Sequence, residues 1–467
     1  MGKYRYLLKN VGLMTISNFG SKILSFLLVP LYTSVLSTTE YGTYDLYVIT
    51  IFLMTPILSL NIVEALMRFS LDEENDKSAV FMGALFHYII ACSVCILLVG
   101  INSSLHLIKS FCEYPLFFIF YFALSLLSDL MIQFARGLEK LTDVAVAGII
   151  NSGIMLTFNI LFLIVFKLGL PGYFLANCSA FLVASIYLFF RLKVWGYFDV
   201  SKIFNLRKKM TKYSKPMILN TIGWWVNNAS DKYVVTWLCG TAVNGIFSVA
   251  YKIPSILTMF QTIFNQAWTI SAVKEFDDKS GEFYSNIYTI YNAILVLFCS
   301  ILITFNKLVA RILFAKEFYI AWKFAPFLMI AVIFSSLSSL LGGIFAAAKK
   351  SKIYGKTTMV GAIFNIFANV VLVLLYGAIG AAIATVISNV IVWIARIVEA
   401  NKIVSLKVKY KKNAISYGIV CAQAIYMLAC KNGTLLYLGE GVCALSILLM
   451  YGRDLKTMIF KIVGMER

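Results

Sequence analysis

Residues 79–101 read AVFMGALFHYIIACSVCILLVGI, an uninterrupted stretch without Asp, Glu, Lys or Arg. A helix needs about 20 consecutive apolar residues to cross the hydrocarbon layer of a membrane. A strand of a membrane barrel would instead alternate apolar and polar side chains over roughly ten residues. The stretch therefore predicts a transmembrane helix, and it gives the length scale for dividing the rest of the chain.

Similar apolar runs recur along the 467 residues. Hydrophobic residues make up 60% of the chain and charged residues 13%, whereas a soluble domain carries about 25% charged residues. With the stretch above, fourteen runs are long enough to span a membrane: 11–35, 43–63, 79–101, 114–134, 143–166, 170–190, 216–238, 243–267, 284–304, 322–346, 354–376, 379–398, 413–430 and 434–450. The sequence thus predicts an all-α polytopic membrane protein with fourteen transmembrane helices.

The positive charges divide unevenly between the two sets of connectors. Connectors on the side of the N-terminus carry 31 of the 41 Lys and Arg residues, seven lie on the opposite side, and three lie within spans. Because cytoplasmic loops hold the excess of Lys and Arg, we expect both termini in the cytoplasm. The net charge of +19 is then explained by membrane insertion and by attraction to anionic lipid head groups, so no nucleic-acid partner is expected.

The nine cysteines and two histidines form no recognisable chemical site. The cysteines are odd in number and scattered, so no disulfide framework is expected, and the Cys92-x-x-Cys95 pair lies inside a membrane run. His87 and His106 lack metal-ligand spacing, and no phosphate-binding glycine loop is present. We expect no metal site, no cofactor and no enzymatic activity; coupling to a sodium or proton gradient stays open.

The longest connector separates six spans from the remaining eight. It covers residues 191–215 and carries eight basic residues. We therefore predict an N-terminal lobe at 1–190, a cytoplasmic linker at 191–215, a C-terminal lobe at 216–398, and two further helices with a tail at 399–467.

Two short patterns recur in the two lobes. LSTTEYGTYDLY at 36–47 is similar to LCGTAVNGIFSVAY at 238–251, and KLGLPGYFLA at 167–176 is similar to LYGAIGAAIA at 375–384. The aligned glycines are separated by 203 and 208 residues, which indicates duplication of a six-helix unit. An even number of helices gives both copies one orientation. We therefore predict a parallel repeat with a central substrate cavity between the lobes near the membrane midplane.

Charged side chains inside the spans are candidates for substrate binding. Each costs about 2.5–3.5 kcal/mol in a membrane and normally faces a cavity or a partner. Lys22 lies roughly 16 Å into the first span and Lys252 roughly 13 Å into the eighth, at 1.5 Å per residue, and we predict that both contact the substrate. Asp231 is predicted to neutralise Lys252 across the tight hairpin between the seventh and eighth spans. Lys232 is left for another partner or for the membrane surface.

Polar side chains accompany these charges at helical spacing, since residues three, four and seven apart share one face. Asn18 shares a face with Lys22, while Ser248 and Ser255 share one with Lys252. A further set of amides and one aromatic side chain is predicted to contact the substrate, namely Asn220, Trp224 and Asn227 on the seventh span and Gln261 and Asn265 on the eighth.

Two charged pairs lie nearer the cytoplasmic surface. Glu64 and Arg68 end the second span, and Asp129 and Arg136 lie on the fourth. They are predicted either to form local ion pairs that lock helix ends or to take part in a gate.

Three segments resemble the Wzx-type polysaccharide flippases of the multidrug/oligosaccharidyl-lipid/polysaccharide exporter superfamily: NFGSKILSFLLVPLYTSVLSTTEYGTYDLY (18–47), SDKYVVTWLCGTAVNGIFSVAYKIPSI (230–256) and LYGAIGAAIATVISN (375–389). The resemblance covers essentially the whole chain and implies two six-helix lobes around a V-shaped cavity, with two extra helices, in the bacterial cytoplasmic membrane. It also implies outward flipping of an undecaprenyl-diphosphate-linked oligosaccharide for capsule, O-antigen or a related polymer. The implied partners are membrane lipids and the polysaccharide polymerase machinery.

Other functions stay open from the residues alone. A multidrug cation exporter of the same superfamily calls for buried carboxylates, whereas the deep charges here are three lysines against Asp231. A lipid II flippase would share the helix number and a cationic cavity, although the first two spans lack a block of arginines. A membrane glycosyltransferase or polymerase would show a carboxylate base or metal site on a large loop, and the longest connector here is a basic one of about 25 residues.

Overall fold

The computed structural model of the chain describes residues 26–202, 206–274 and 281–463. All regular structure within these ranges is helical, which confirms the all-α prediction. The chain separates into two compact units, Met1–Trp225 and Val226–Arg467, which we call unit 1 and unit 2.

The described part of unit 1 contains seven α-helices and the first half of an eighth. They are α1 Val29–Val35, α2 Thr38–Leu58, α3 Ile62–Ser70, α4 Lys77–Leu105, α5 Pro115–Gly137, α6 Leu141–Asn159, α7 Gly169–Arg191 and α8 Arg207–Cys239. Helix α6 continues into a π-helical turn at Ile160–Val165. Short 3-10 turns at Val194–Tyr197 and Val200–Lys202 lie in the basic linker.

Local side-chain chemistry decides where two of these helices begin. Ser37 Oγ accepts a hydrogen bond from the Glu40 backbone N–H (3.2 Å), and Glu40 Oε2 accepts one from the Ser37 N–H (2.8 Å). This reciprocal cap satisfies donors that the first turn of α2 leaves unpaired. At the start of α4, Asp76 Oδ1 accepts a hydrogen bond from the Ser78 N–H (2.9 Å).

Unit 2 contains nine further helices in its described residues. They are α9 Thr241–Ala250, α10 Pro254–Lys274, α11 Gly281–Thr304, α12 Asn306–Leu313, α13 Ala325–Ala347, α14 Ser351–Tyr376, α15 Ala378–Asn401, α16 Tyr410–Ala429 and α17 Gly433–Val463. A 3-10 segment, Lys316–Lys323, connects α12 to α13.

A glycine with a positive φ stands at the start of one helix in each unit. Gly169 begins α7 with φ 58°, and Gly377 precedes α15 with φ 62°. Glycine adopts this conformation without the steric cost that a Cβ would add. The two residues are the aligned glycines of the second repeated pattern, so a shared backbone geometry accompanies the shared sequence.

Ten described helices are long and apolar enough to cross a membrane, or eleven if the bent pair α9 and α10 is one span. Residues 11–25 of the first predicted span, 11–35, lie outside the described residues, and its last seven residues form α1. The seventh and thirteenth predicted spans lie in α8 and α16, which are helical but less apolar than the rest. The protein is thus a multi-pass membrane protein, and the count of fourteen spans stays a prediction.

The last two helices pack against α11 through buried polar side chains. Asn292 Nδ2 donates to Asn413 Oδ1 (3.2 Å) and to Tyr451 Oη (3.0 Å). Tyr417 Oη donates to Asn292 Oδ1 (2.6 Å). Helices α16 and α17 are therefore joined to unit 2 by specific contacts.

Candidate functional site

The eighth predicted span is broken in its middle. Residues 251–253 form a turn, and the helix axis bends by 49° between Thr241–Ala250 and Pro254–Asn265. Pro254 accounts for the break, because proline has no backbone N–H for an intrahelical hydrogen bond and its ring clashes with the preceding turn. In membrane transporters, such discontinuous helices form substrate and ion sites.

Lys252 lies in this break and is half-buried. Its backbone N–H donates to Val249 O (2.9 Å), and its carbonyl accepts from Ser255 Oγ (2.6 Å). Eleven residues of rise separate it from the start of α9, roughly 16 Å, or about half of a hydrocarbon core. The break interrupts the helical face predicted for Lys252 and Ser248. Ser248 Oγ instead donates to Asn244 Oδ1 (3.3 Å) within α9.

Asp231 in α8 is buried, with 4% of its surface exposed. Its Oδ2 accepts a hydrogen bond from the hydroxyl of Tyr251, and its Oδ1 accepts one from the Lys232 N–H (2.9 Å). The Lys232 amine lies 5.6 Å from the centre of the Tyr251 ring, within the range of a cation–π contact. Tyr251, the sequence neighbour of Lys252, thus links Asp231 and Lys232 to the broken helix.

A second buried contact lies beside Asp231. Ser230 Oγ is 3.2 Å from Asn365 Oδ1 in α14, and Asn369 Nδ2 donates to the same oxygen (2.9 Å). All three side chains are buried. Since a buried polar group is costly unless it is hydrogen-bonded, this contact holds α8 against α14. We call Ser230, Asp231, Tyr251, Lys252 and Asn365 the polar centre of unit 2.

Two residues predicted to contact the substrate lie further along α10. Gln261 is half-buried. Asn265 Nδ2 donates to Ser339 Oγ (2.9 Å) in α13, so Asn265 also ties α10 to α13.

Five other predicted site residues cannot be placed as side chains. Asn220, Trp224 and Asn227 belong to α8, but their side chains lie outside the described part of the structure. Asn18 and Lys22 lie in a segment that is wholly outside it. Substrate contact by these five residues stays a prediction.

The four charged residues predicted as ion pairs or a gate lie on α3 and α5. Arg136 Nη1 donates to Gln133 Oε1 (3.3 Å), and in the described residues no ion pair within 4 Å joins Asp129 to Arg136 or Glu64 to Arg68. Positions 129 and 136 are seven residues apart, roughly 10 Å along the helix, which is too far for direct contact.

Four residues in or beside the polar centre were not predicted from the sequence, namely Ser230, Tyr251, Asn365 and Asn369. The two asparagines could have been predicted as a polar pair, because they are four residues apart in an apolar helix and so share one face. Nothing in the sequence distinguished Tyr251 from the other tyrosines, of which the chain has 26 in all.

The polar centre combines a lysine with hydroxyl and amide groups around a hydrogen-bonded carboxylate. Among the described residues, no group of three or more His, Cys, Asp or Glu side chains could hold a metal ion. Lysine is a common point-charge ligand of phosphate. The arrangement therefore suits an anionic group with further hydrogen-bonding capacity.

Residues 7–270 match the family model described as polysaccharide biosynthesis protein. Two relatives are similar over part of the chain. A protein of Haloferax volcanii, named as a probable low-salt glycan biosynthesis flippase, is 23% identical over 228 residues, which are 47% of this chain and 48% of that protein. An uncharacterized membrane protein of Methanocaldococcus jannaschii is 27% identical over 244 residues, covering 47% and 46% of the two chains. The chain thus spans about half the length of the curated relatives it matches.

Solved structures of transporters have a similar fold. The lipid II flippase MurJ, in an inward closed conformation, superposes with a TM-score of 0.71 over 96% of this chain and 98% of its own, at 13% identity. A multidrug resistance transporter of the MATE family, in an inward-facing conformation, gives a TM-score of 0.68 over 82% and 94%, at 14% identity. At these identities the likeness concerns the fold alone.

Proposed function

Because the chain belongs to the polysaccharide biosynthesis protein family, we propose that it is a flippase for an undecaprenyl-diphosphate-linked oligosaccharide. The oligosaccharide lipid moves from the cytoplasmic to the outer leaflet of the bacterial cytoplasmic membrane by alternating access, and both termini of the protein are cytoplasmic. Capsule, O-antigen or a related surface polymer is the end product.

The observation that carries this proposal is the broken span of unit 2. Breaks in membrane helices form substrate sites in transporters, and Lys252 lies in this break, which supports a role for Lys252 in binding an anionic group of the substrate. Lysine attracts a diphosphate strongly where water is scarce. Asp231, held by Tyr251, offsets part of the positive charge in the polar centre.

The driving force needs no coupled ion. Moving an anionic diphosphate outward across an inside-negative potential is favourable by about 2.3 kcal/mol per charge per 100 mV. A sodium or proton gradient would add to this driving force.

Transport by reconstituted protein tests the proposal. Full-length protein in liposomes should flip a fluorescent polyprenyl-diphosphate oligosaccharide, and Lys252→Ala or Lys22→Ala should each slow it about 10- to 100-fold. The estimate follows because a hydrogen bond to a charged group contributes about 1.5–3 kcal/mol and 1.4 kcal/mol is a factor of ten. Lys252→Glu should be slower still.

Lys411→Ala is the matched control, since it removes the same charge from an exposed position on α16, and it should transport at the normal rate. Normal transport by both Lys22→Ala and Lys252→Ala would remove the diphosphate-binding role of these lysines. Preference for lipid II would identify a lipid II flippase. Transport of organic cations in place of either lipid would identify a multidrug exporter.

A further inference from the structure

The end of the basic linker forms one wall of a cavity in unit 1. The cavity has a volume of about 640 Å³ and lies between the end of α2, the third and fourth turns of α4 and the first turns of α8. Cavities of 300–1,000 Å³ are of the size that binds small ligands. We call it the basic pocket.

Two contacts hold the first turns of α8 against α4. The Arg207 guanidinium lies 4.6 Å from the centre of the Phe86 ring. One turn later, Thr211 Oγ1 lies 3.2 Å from His87 Nε2, and His87 Nδ1 donates to the Gly83 carbonyl (2.8 Å). These contacts fix which face of α8 is turned towards the pocket.

Ser214 lies on the same face of α8 as Arg207 and Thr211 and makes a third contact. The adjacent face of α8 carries three lysines. Ser214 Oγ donates to the carbonyl of Leu60 (2.7 Å). Lys208, Lys212 and Lys215 each follow one of these three anchoring positions, so they lie on an adjacent face. All three line the pocket and are exposed.

The charge of these lysines is not balanced within the described chain. None of the three forms an ion pair there, and no carboxylate lines the pocket. Like charges four residues apart on a helix repel each other. An anionic ligand would relieve this repulsion.

Two carboxylates, Asp76 and Asp199, form ion pairs with a different part of the linker. Lys202 Nζ lies 2.8 Å from Asp76 Oδ2 and 3.3 Å from Asp199 Oδ2. The linker is thus held to the start of α4 by Lys202. These carboxylates are paired with Lys202, and the lysines of α8 line the pocket.

The floor of the pocket is apolar. It is formed by the side chains of Leu58, Leu60, Phe86 and Ile90, and Ile90 is 41% exposed. A free phosphate would use only the lysines. A phosphorylated lipid would use both parts, with its head group on the lysines and its chain on the floor.

We propose that the basic pocket is a docking site for the diphosphate head group of a lipid-linked glycan, separate from the polar centre around Lys252. The inference rests on the proposed function for the identity of the lipid. The three lysines extend over seven residues, roughly 10 Å of helix, which is a longer track than a single phosphate occupies. The pocket lies on the predicted cytoplasmic side, where it receives the substrate before translocation.

Photo-crosslinking tests this site directly. The probe is a polyprenyl-diphosphate glycolipid with a photoreactive group beside the diphosphate, added to full-length protein in nanodiscs of zwitterionic lipid. Mass spectrometry should find the label in residues 86–90 and 207–215. Lys212→Gln should lower this labelling about fivefold, and neutralising all three lysines about a hundredfold, since each basic residue contributes about 1 kcal/mol.

Lys209→Gln is the matched control, because Lys209 is exposed on the same helix but does not line the pocket. It should leave the labelling unchanged, as should Lys252→Ala. Equal labelling in the Lys212→Gln, triple and control variants would overturn the inference. Displacement of the probe by phosphatidylglycerol as readily as by unlabelled glycolipid would also overturn it, because the pocket would then bind anionic lipids in general. Neither outcome affects the transport assay, which decides the proposed function separately.

Discussion

At the scale of single residues, Arg396 shows how this protein accommodates a buried cation. It is 4% exposed in α15, and its guanidinium stacks 3.9 Å from the centre of the Tyr354 ring. It donates to Ser338 O (2.9 Å). It also donates to the hydroxyls of Thr357 (3.1 Å) and Thr358 (2.7 Å). The five donors of arginine are arranged to serve several acceptors at once, so one side chain joins α13, α14 and α15.

Replacing Arg396 with lysine tests this account. The Arg396→Lys variant keeps the charge but cannot reach all three acceptors, so we expect it to lose about 1.5–3 kcal/mol of stability, the contribution of one charged hydrogen bond. The measurement is thermal unfolding of the purified protein in detergent. Arg311→Lys, at an exposed position in α12, should leave the midpoint unchanged; an equal midpoint in both variants would contradict the role of Arg396.

At the scale of secondary-structure elements, the linker is attached to the membrane helices by ion pairs. The hydrogen bond from Lys202 lowers the pKa of the Asp76 carboxyl, and Asp76 with Asp199 raises the pKa of Lys202. The lowered pKa of Asp76 means that its contribution is present above the ordinary value of 3.8 and is lost as the pH falls through the lowered pKa. The raised pKa of Lys202 means that its contribution is present below 10.5 and is lost only as the pH rises through the raised value. The attachment is therefore complete at neutral pH.

Removing the charge of Asp76 should release the linker at neutral pH. In Asp76→Asn we expect the amides of Val194–Lys202 to exchange hydrogen faster than in the native protein, because Lys202 loses its contact with the start of α4. Hydrogen–deuterium exchange at pH 7 measures this. Glu73→Gln, an exposed change in the same loop, should leave exchange as it is. If the two variants exchange alike, the ion pair does not hold the linker.

At the scale of the whole molecule, the last two helices extend the core of unit 2. Gln423 in α16 connects α11 to α17: its Oε1 accepts from Ser300 Oγ (2.8 Å), and its Nε2 donates to Glu440 Oε2 (2.9 Å). All three side chains are buried. Direct hydrogen bonds between membrane helices average about 0.6 kcal/mol, but a buried group that loses its partner costs more. The hydrogen bonds that join α11, α16 and α17 here therefore depend on the Gln423 side chain.

The Gln423→Leu variant should be destabilised by about 1–3 kcal/mol, because Ser300 and Glu440 lose their partner. The readout is the thermal midpoint of the purified protein. Ser446→Ala is a suitable control, since Ser446 is half-buried on α17 and its hydroxyl donates to Val442 O of its own helix. A native midpoint for Gln423→Leu would show that α16 and α17 are held by apolar packing alone.

Several features of the candidate site could be read from the chain, because they depend on neighbours in sequence. Lys252 and Pro254, two residues later, supply both the half-buried charge and the cause of the helix break, although the sequence predicted one continuous span. Arg396 lies near the end of the predicted span 379–398, and its position there gave no sign of its burial. The lysines of α8 were explained by membrane topology, and nothing in their spacing showed that α2 and α4 complete a pocket around them.

The sequence by itself determined that this is an all-helical, multi-pass membrane protein of the polysaccharide biosynthesis protein family, because span length, apolar content and motif similarity are properties of consecutive residues. Only the tertiary structure decided which polar side chains meet. Asp231 contacts Tyr251, Ser230 contacts Asn365, and Thr211 contacts His87. Each contact joins different helices, and its formation depends on helix packing that hydropathy does not encode.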